Sequence, residues 1–82
     1  MSATVIAFPD LAVLRHQKGI SLHQIGESTK ISVRYLEAIE CGQFGKLPGG
    51  VYTVSYIRQY ARAIDVSEQE LLDCYLQSAS VS

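Results

Sequence analysis

This chain has no large excess of charge of either sign. Its 82 residues include seven Lys and Arg and eight Asp and Glu, for a formal net charge of −1. A strongly basic balance would favour nucleic acid or an anionic membrane as the partner, so this composition predicts no global attraction to either. Any binding of anions is expected to be local.

Long apolar runs are also missing. A membrane-spanning helix needs roughly 18 or more apolar residues in a row, and no stretch approaches that length. The apolar residues 3–8 lack a basic flank and stop at Pro9, unlike a secretory signal. We therefore expect no membrane segment within these residues and a cytoplasmic location. The serine-containing end is compatible with the cytoplasmic part of a longer, membrane-anchored protein, and equally with a free-standing small protein.

The patterns of metal sites and active sites are lacking as well. Cys41 and Cys74 show neither a Cys-x-x-Cys spacing nor nearby His partners, which argues against a zinc or redox site. Ser, His and Asp occur without a nucleophile elbow. Gly45-Lys46 lacks the glycine spacing and the following Ser or Thr of a phosphate-binding loop. The sequence predicts a protein that is not an enzyme, with no cofactor, no metal and no small-molecule substrate.

Helical periodicity recurs along the chain, and the alternation typical of strands does not. The length allows one small domain with one core, and we predict an all-α fold with five helices. We divide the chain into an N-terminal extension (1–8), a compact helical domain (9–76) and a flexible tail or linker start (77–82). Within the domain, we expect helices at about 9–18, 22–28, 33–41, 51–64 and 68–76, and a glycine-rich loop at 43–50 that Phe44 and Leu47 pin to the core.

Residues 21–40 carry the most informative pattern, two short helices joined by a tight turn. Ser21 and Gln24 form a predicted capping box, and Ser32 is placed to cap the second helix. Residues 29–31 leave room for a turn and nothing longer. The pattern predicts a helix-turn-helix, whose second helix in many proteins enters the DNA major groove.

The predicted fourth helix has a face that points away from the core. Successive residues of a helix are about 100° apart. If the core face consists of Val54, Ile57, Ala61 and Ile64, Tyr52 points away from the core and Tyr56 lies about a third of a turn from it. Paired aromatics among uncharged neighbours are typical of protein-contact patches. The candidate protein-binding residues are Tyr52, Tyr56, Ser55, Gln59 and Arg58.

Two alternatives apply to this helix. In one, Tyr52 lies in the loop and folds back on Phe44, and Tyr56 covers the edge of the core. Tyr60 is structural in either case.

The other concerns Arg58 and Arg62, which we interpret as a solvated helix edge. A phosphate, a carboxylate on a partner, or an acidic membrane surface are the other possible contacts of this arginine pair.

Three segments stand out together: Lys30-Ile-Ser-Val-Arg-Tyr-Leu-Glu-Ala-Ile-Glu, Leu47-Pro-Gly-Gly-Val-Tyr and Tyr56-Ile-Arg-Gln-Tyr-Ala-Arg. They resemble the cytoplasmic helix-turn-helix domain of the bacterial RodZ family, over about residues 11–76. The resemblance implies a five-helix, λ-repressor-like (Xre-like) fold. It also implies docking to a protein partner, the actin-like cell-shape filament MreB, through aromatic residues at the positions of Tyr52 and Tyr56.

This chain departs from the pattern of that family in two places. Ser55 stands where Gly is common, and Asp65 and Val66 stand where Gly-Leu often follows the helix. Members of the family continue past this domain through a basic stretch, one membrane helix and an outer domain. The departures leave the expected fold intact.

DNA binding through the third helix is the alternative function. We expect Leu36 and Ile39 to form the core face of this helix. The residues on its other side would then face the major groove of DNA. The candidate DNA-binding residues are Gln24, Lys30, Ser32, Arg34, Glu37 and Ala38. Residues 21–42 carry two cations against three acids, so a monomer should bind weakly and lose affinity as salt rises. The sequence leaves the oligomeric state open.

Overall fold

The computed structural model describes residues 8–80, and the regular structure within them is helical. The elements in chain order are α1 (Phe8–Gln17), α2 (Leu22–Thr29), α3 (Val33–Glu40), one turn of 3-10 helix (Phe44–Lys46), α4 (Gly50–Ala63) and α5 (Glu68–Ser80). The expected all-α fold with five helices is confirmed for this part of the chain. The predicted N-terminal extension lies outside it, apart from Phe8.

The C-terminal helix runs past its expected end. α5 continues to Ser80, whereas the loss of apolar periodicity placed its end at Leu76. Leu76, Gln77 and Ser78 are all exposed. A formed helix adds one backbone hydrogen bond per residue without needing a buried face, so α5 outlasts its apolar stripe.

The helix-turn-helix forms as predicted. The Gln24 N–H donates to Ser21 Oγ at 3.1 Å and the Ser21 N–H donates to Gln24 Oε1 at 2.8 Å, so both halves of the capping box are present. Lys30 ends α2 in the left-handed conformation, with φ 65°. Ser32 caps α3 by accepting from the Arg34 N–H at 3.3 Å.

Gly26 sets how closely α2 approaches the turn. A Cβ added there would lie 3.0 Å from the Ile31 carbonyl oxygen and 3.5 Å from Val33 Cγ2. A side chain at this position would press on backbone, which yields less easily than the tip of a side chain. The absence of a Cβ therefore permits the close packing of α2 against the start of α3.

The core draws residues from all five helices of the described chain. Its most deeply buried apolar residues are Leu11, Ile25, Leu36, Ile39, Ile57, Tyr60, Ala61, Ile64 and Leu71. Phe44 and Leu47 are also buried, which confirms that they hold the connecting loop against the core. The Phe44 ring meets Tyr75 of α5 edge-on, with centroids 5.4 Å apart.

A buried ion pair joins α1 to α3 beneath the helix-turn-helix. Arg15 Nε donates to Glu40 Oε2 at 2.7 Å and its Nη2 donates to Oε1 at 3.2 Å. Arg15 Nη1 also donates to the Ile20 carbonyl at 3.1 Å. The Tyr60 hydroxyl of α4 donates to Glu40 Oε2 at 2.8 Å. Arg15, Glu40 and Tyr60 are each at most 9% exposed, so this network ties three helices together inside the protein.

The network shifts the pKa of each of its members. Burial alone would raise the pKa of the Glu40 carboxyl, but the hydrogen bonds from Arg15 and Tyr60 and the charge of Arg15 hold it below its ordinary value. Burial and the bond to Glu40 raise the pKa of the Tyr60 phenol, which keeps it protonated as a donor. The bond to Glu40 raises the pKa of Arg15 despite its burial.

Sequence reasoning did not pair Arg15 with Glu40, although a signal was present. Arg15 follows buried Leu11 by one helical step of four residues, and Glu40 follows buried Leu36 by the same step. Both charged residues therefore occupy core positions of their helices. Charged residues at such positions are almost always paired, which predicts partners for each of them.

Within residues 8–80, no helix has the length and the apolar character needed to cross a membrane.

Candidate protein-binding face of helix α4

Two glycines set the start of α4. Gly49 and Gly50 have φ values of 92° and 59°, a region that glycine enters without the steric cost of a Cβ. The Gly49 N–H donates to Thr53 Oγ1 at 2.7 Å, and Thr53 is fully buried. Because Thr53 points inward, the residues before it point outward, and Val51 and Tyr52 are 75% and 63% exposed.

The buried stripe of α4 is turned relative to the expected one. Thr53 and Tyr60 are fully buried, whereas Val54, expected in the core, is half-buried. Hydropathy undervalues Thr53 and Tyr60, because each has a polar group that finds a hydrogen-bond partner inside the protein. The structural role of Tyr60 and the burial of the other expected core residues are confirmed, namely Ile57, Ala61 and Ile64.

The two tyrosines of the candidate face differ in their surroundings. Tyr52 lies within the helix and is open to solvent, so the alternative in which it folds back on Phe44 from a loop is wrong. Tyr56 is half-buried, and its ring stacks on Tyr35 of α3 with centroids 5.6 Å apart and planes inclined by 26°. Tyr56 therefore both covers the edge of the core and presents part of its ring outward.

Tyr35 is the residue of this face that sequence reasoning missed. It lies on α3, next to buried Leu36, and is itself half-buried. The available signal was an aromatic residue at the edge of the core stripe of α3. Its partner on α4 was not predictable, because the stack depends on how the two helices pack.

Neutral side chains occupy the middle of the α4 face. Gln59 Nε2 donates to Ser55 Oγ at 3.1 Å, one helical step away, and both residues are half-buried. Both side chains are neutral, so the centre of the face carries no charge, and their polar groups bond to one another. Charge depletion at the centre with polar groups nearby is typical of protein interfaces.

Charge on α4 comes from Arg58 and Arg62. Arg62 Nε donates to Glu68 Oε2 at 2.7 Å, and its Nη2 lies 3.5 Å from Oε1. Arg58 Nη1 lies 3.7 Å from the same Oε1. The hydrogen bond between Arg62 and Glu68 lowers the pKa of the Glu68 carboxyl and raises the pKa of Arg62. Two guanidinium groups thus share one carboxylate at the junction of α4 and α5.

The alternative surface lies on α3 and its surroundings. Ala38 is 2% exposed, so the expectation that it faces outward is wrong. The physical reason is that this short helix packs against α1, α2 and α4, which buries a wider arc than the stripe of Leu36 and Ile39. The remaining candidate DNA-binding residues are exposed, namely Gln24, Lys30, Ser32, Arg34 and Glu37.

A groove of about 930 Å³ is lined by residues in and around α3, and its lining includes the buried Ala38 and Glu40. Arg34 and Lys46 lie in its lining, and so does the carboxylate of Glu37. Gln24 uses its side-chain oxygen in the capping box. The groove therefore presents mixed charge.

Comparison with known proteins places this fold in a family. Residues 10–71 match the family model described as a helix-turn-helix domain. The chain belongs to this helix-turn-helix domain family. The matched segment includes α2 to α4, and hence both of the surfaces described above.

Two curated relatives share this helix-turn-helix domain. The cytoskeleton protein RodZ of Streptococcus pneumoniae is 37% identical over 65 residues, which cover 79% of this chain and 24% of that protein. The uncharacterized membrane protein YmfM of Bacillus subtilis is 37% identical over 54 residues, which cover 66% of this chain and 19% of that protein. The chain thus spans about a quarter or less of the length of these relatives. No solved structure matches it. The domain is of the RodZ type, as predicted.

Proposed function

We propose that this domain is a non-enzymatic binding module that docks onto a protein partner, an actin-like filament of the MreB type. The docking surface is the face of α4 formed by Tyr52, Tyr56, Ser55, Gln59 and Arg58. The observation that carries the proposal is the exposure of Val51 and Tyr52 side by side at the start of α4. The name of the pneumococcal relative, a cytoskeleton protein, supports a partner in the cytoskeleton.

The α4 face is partly preorganised for binding. Tyrosine offers a large contact area with few rotatable bonds, which keeps the entropic cost of binding low. The stack on Tyr35 already holds Tyr56 in place, so less side-chain freedom is lost when a partner covers it. On binding, exposed Tyr52 would be covered by the partner, and the stacked ring of Tyr56 would form a rigid contact beside it.

Co-sedimentation with assembled MreB filaments tests this proposal. Wild-type domain should pellet with the filaments, and Tyr52→Asp should lose at least about tenfold in affinity, because a charge is placed at the centre of a desolvated contact. Val13→Asp is the matched control, since Val13 is an exposed apolar residue of another helix, 52% exposed. Equal loss in both variants, or no pelleting of the wild type, would count against docking through α4.

The double variant Tyr52→Asp/Tyr56→Asp is a less clean probe. Tyr56 is half-buried against Tyr35, so an acid there also weakens the packing of α3 on α4. Tyr52→Asp alone separates docking from folding, provided that the helical circular-dichroism signal and the melting transition stay those of the wild type.

DNA binding through α3 is a second candidate. It is favoured by two exposed cations, Arg34 and Lys46, that line the same groove. Because Glu40 is paired inward with Arg15, the exposed charges of residues 21–42 balance. The test is a titration of random and genomic duplexes at about 50 and 200 mM salt, where phosphate contacts lose affinity steeply. Arg34→Ala with Lys30→Ala should flatten the salt dependence, and an unchanged slope would eliminate α3 as the contact.

A further inference from the structure

The two arginines of α4 differ in how they use the carboxylate of Glu68. Arg62 holds it by a short hydrogen bond of 2.7 Å. Arg58 approaches it at 3.7 Å, which is longer than a hydrogen bond, and its side chain is 49% exposed. Arg58, Arg62 and Glu68, which we term the arginine cluster, therefore carry one positive charge in excess, and it lies mainly on Arg58.

A shallow groove connects the arginine cluster with the apolar start of α4. It has a volume of about 370 Å³. Its lining has no acidic side chain and consists of Val51, Val54, Ser55, Arg58, Gln59 and Arg62. The groove thus offers apolar contact at one end and a guanidinium donor at the other.

We propose that a carboxylate on the protein partner binds Arg58 when that partner covers the start of α4, while Glu68 stays with Arg62. This inference rests on the proposed docking through α4 and identifies its electrostatic part. A guanidinium can bind a carboxylate through two parallel N–H donors, and Arg58 has donors to offer because its contact with Glu68 is long. The partner surface is then apolar opposite Val51 and Tyr52 and acidic opposite Arg58.

A protein carboxylate fits this groove better than a phosphate. Nucleic acids and anionic membranes are bound by many cations acting together, whereas this surface offers two, one of which Glu68 already neutralises. The apolar side chains at the other end of the groove, Val51 and Val54, gain from contact with protein and not from a hydrated phosphate. A single charge pair at the edge of an apolar contact is common at protein interfaces.

The experiment is co-sedimentation of MreB filaments with charge variants of the folded domain. Arg58→Glu should lower affinity about tenfold or more, since it replaces an attraction by a repulsion. Arg34→Glu is the matched control, because it reverses an exposed arginine on α3. Glu68→Gln should raise the affinity, because it removes the carboxylate that neutralises part of the positive charge of the arginine cluster.

The outcomes separate this inference from the docking proposal. Tyr52→Asp abolishing pelleting while Arg58→Glu behaves like Arg34→Glu would overturn the carboxylate contact and leave docking intact. Unchanged or weaker binding of Glu68→Gln would also overturn it. No pelleting of the wild-type domain would overturn both proposals. Loss in Arg58→Glu, partial retention in Arg58→Lys and gain in Glu68→Gln would establish the contact.

Discussion

Tyr52 and Tyr60 lie two helical steps apart on the same helix, yet they have opposite environments. Tyr60 is fully buried and donates its hydroxyl to Glu40, whereas Tyr52 is 63% exposed. Tyr56, midway between them, is half-buried and stacks on Tyr35. Residue type and spacing therefore do not assign a role along α4. The role of each tyrosine depends on what the helices packed against α4 place beside it, above all α3.

Arg15→Ala should have the largest effect of the substitutions considered. It removes the cation that pairs with Glu40, the carboxylate that accepts a hydrogen bond from buried Tyr60. The substitution leaves the Glu40 carboxylate buried without its cation, which costs about 3–5 kcal/mol. A domain of this size has a free energy of unfolding on the order of 5 kcal/mol, so only about 0–2 kcal/mol should remain and the variant should unfold at low urea concentration. Circular dichroism in a urea titration measures this. A loss below about 1 kcal/mol would mean that the network contributes little net stability.

Tyr60→Phe and Tyr52→Phe each remove a phenolic hydroxyl, the first from a buried tyrosine of α4 and the second from an exposed one. Tyr60→Phe loses a hydrogen bond to a charged group and should cost about 1.5–3 kcal/mol. Tyr52→Phe should stay within about 0.5 kcal/mol of wild type, as is usual for exposed positions. Both values come from urea midpoints at constant m-value. Equal costs would show that burial does not distinguish the two tyrosines.

The pH dependence of stability should carry the signature of the buried network. The pKa of Glu40 is lowered in the folded state, so the unfolded chain binds more protons as pH falls, and stability should be lost below about pH 4.3. The pKa of Tyr60 is raised, so the unfolded chain releases its proton first, and stability should be lost above about pH 10.

Thermal melts across pH measure both limbs, and Tyr60→Phe with Tyr52→Phe as a matched pair tests the alkaline limb. Tyr60→Phe should flatten the alkaline limb, since the phenol that resists ionisation is gone. Tyr52→Phe should leave that limb as in the wild type. An alkaline limb that persists in Tyr60→Phe would assign it to another group.

The smallest effect is expected at the turn that follows the buried end of α4. Asp65 has φ 61°, a conformation that costs a residue with a Cβ more than it costs glycine. Asp65→Gly should raise the free energy of unfolding by about 0.5 kcal/mol, because greater freedom in the unfolded chain offsets part of the relief. The contact that it removes, with Lys18 at 3.9 Å, is exposed and weak.

Gly42→Ala is the reverse control for Asp65→Gly, because it adds a Cβ at a position with positive φ instead of removing one. Gly42 has φ 73°, so a Cβ introduced there should destabilise the domain by about 1 kcal/mol. Opposite shifts in melting temperature for the two variants would confirm that backbone conformation decides both. The left-handed backbone at Asp65 also explains why glycine is common at this position in the RodZ family.

Much of the local structure was predictable from short-range rules. The capping box of Ser21 and Gln24 and the turn before Ser32 depend on residues within a few positions of one another. The burial of Phe44 and Leu47 in a loop of breakers followed from hydropathy. The binding roles of Tyr52, Arg58 and Arg34 remain proposals, since no property of the free domain tests them.

Contacts between residues far apart in the sequence were not predicted. Ala38 was expected outside and is buried, because α3 is enclosed on several sides. Tyr35 was passed over, and its stack on Tyr56 joins residues of two helices. Arg15 and Glu40 each occupy a core position, but their pairing spans 25 positions along the chain.

The sequence by itself determined the helices, their caps and the helix-turn-helix, because hydrogen bonds and apolar periodicity within one turn specify them. Only the tertiary structure decided which tyrosine is a core residue, which is a stacked edge and which is open to a partner. The reason is that burial is a property of packed helices. A tyrosine on α4 has the same neighbours in sequence before and after the helices pack. Packing against α3 gives Tyr60 its hydrogen-bond partner and Tyr56 its stacking partner, and it leaves Tyr52 in solvent.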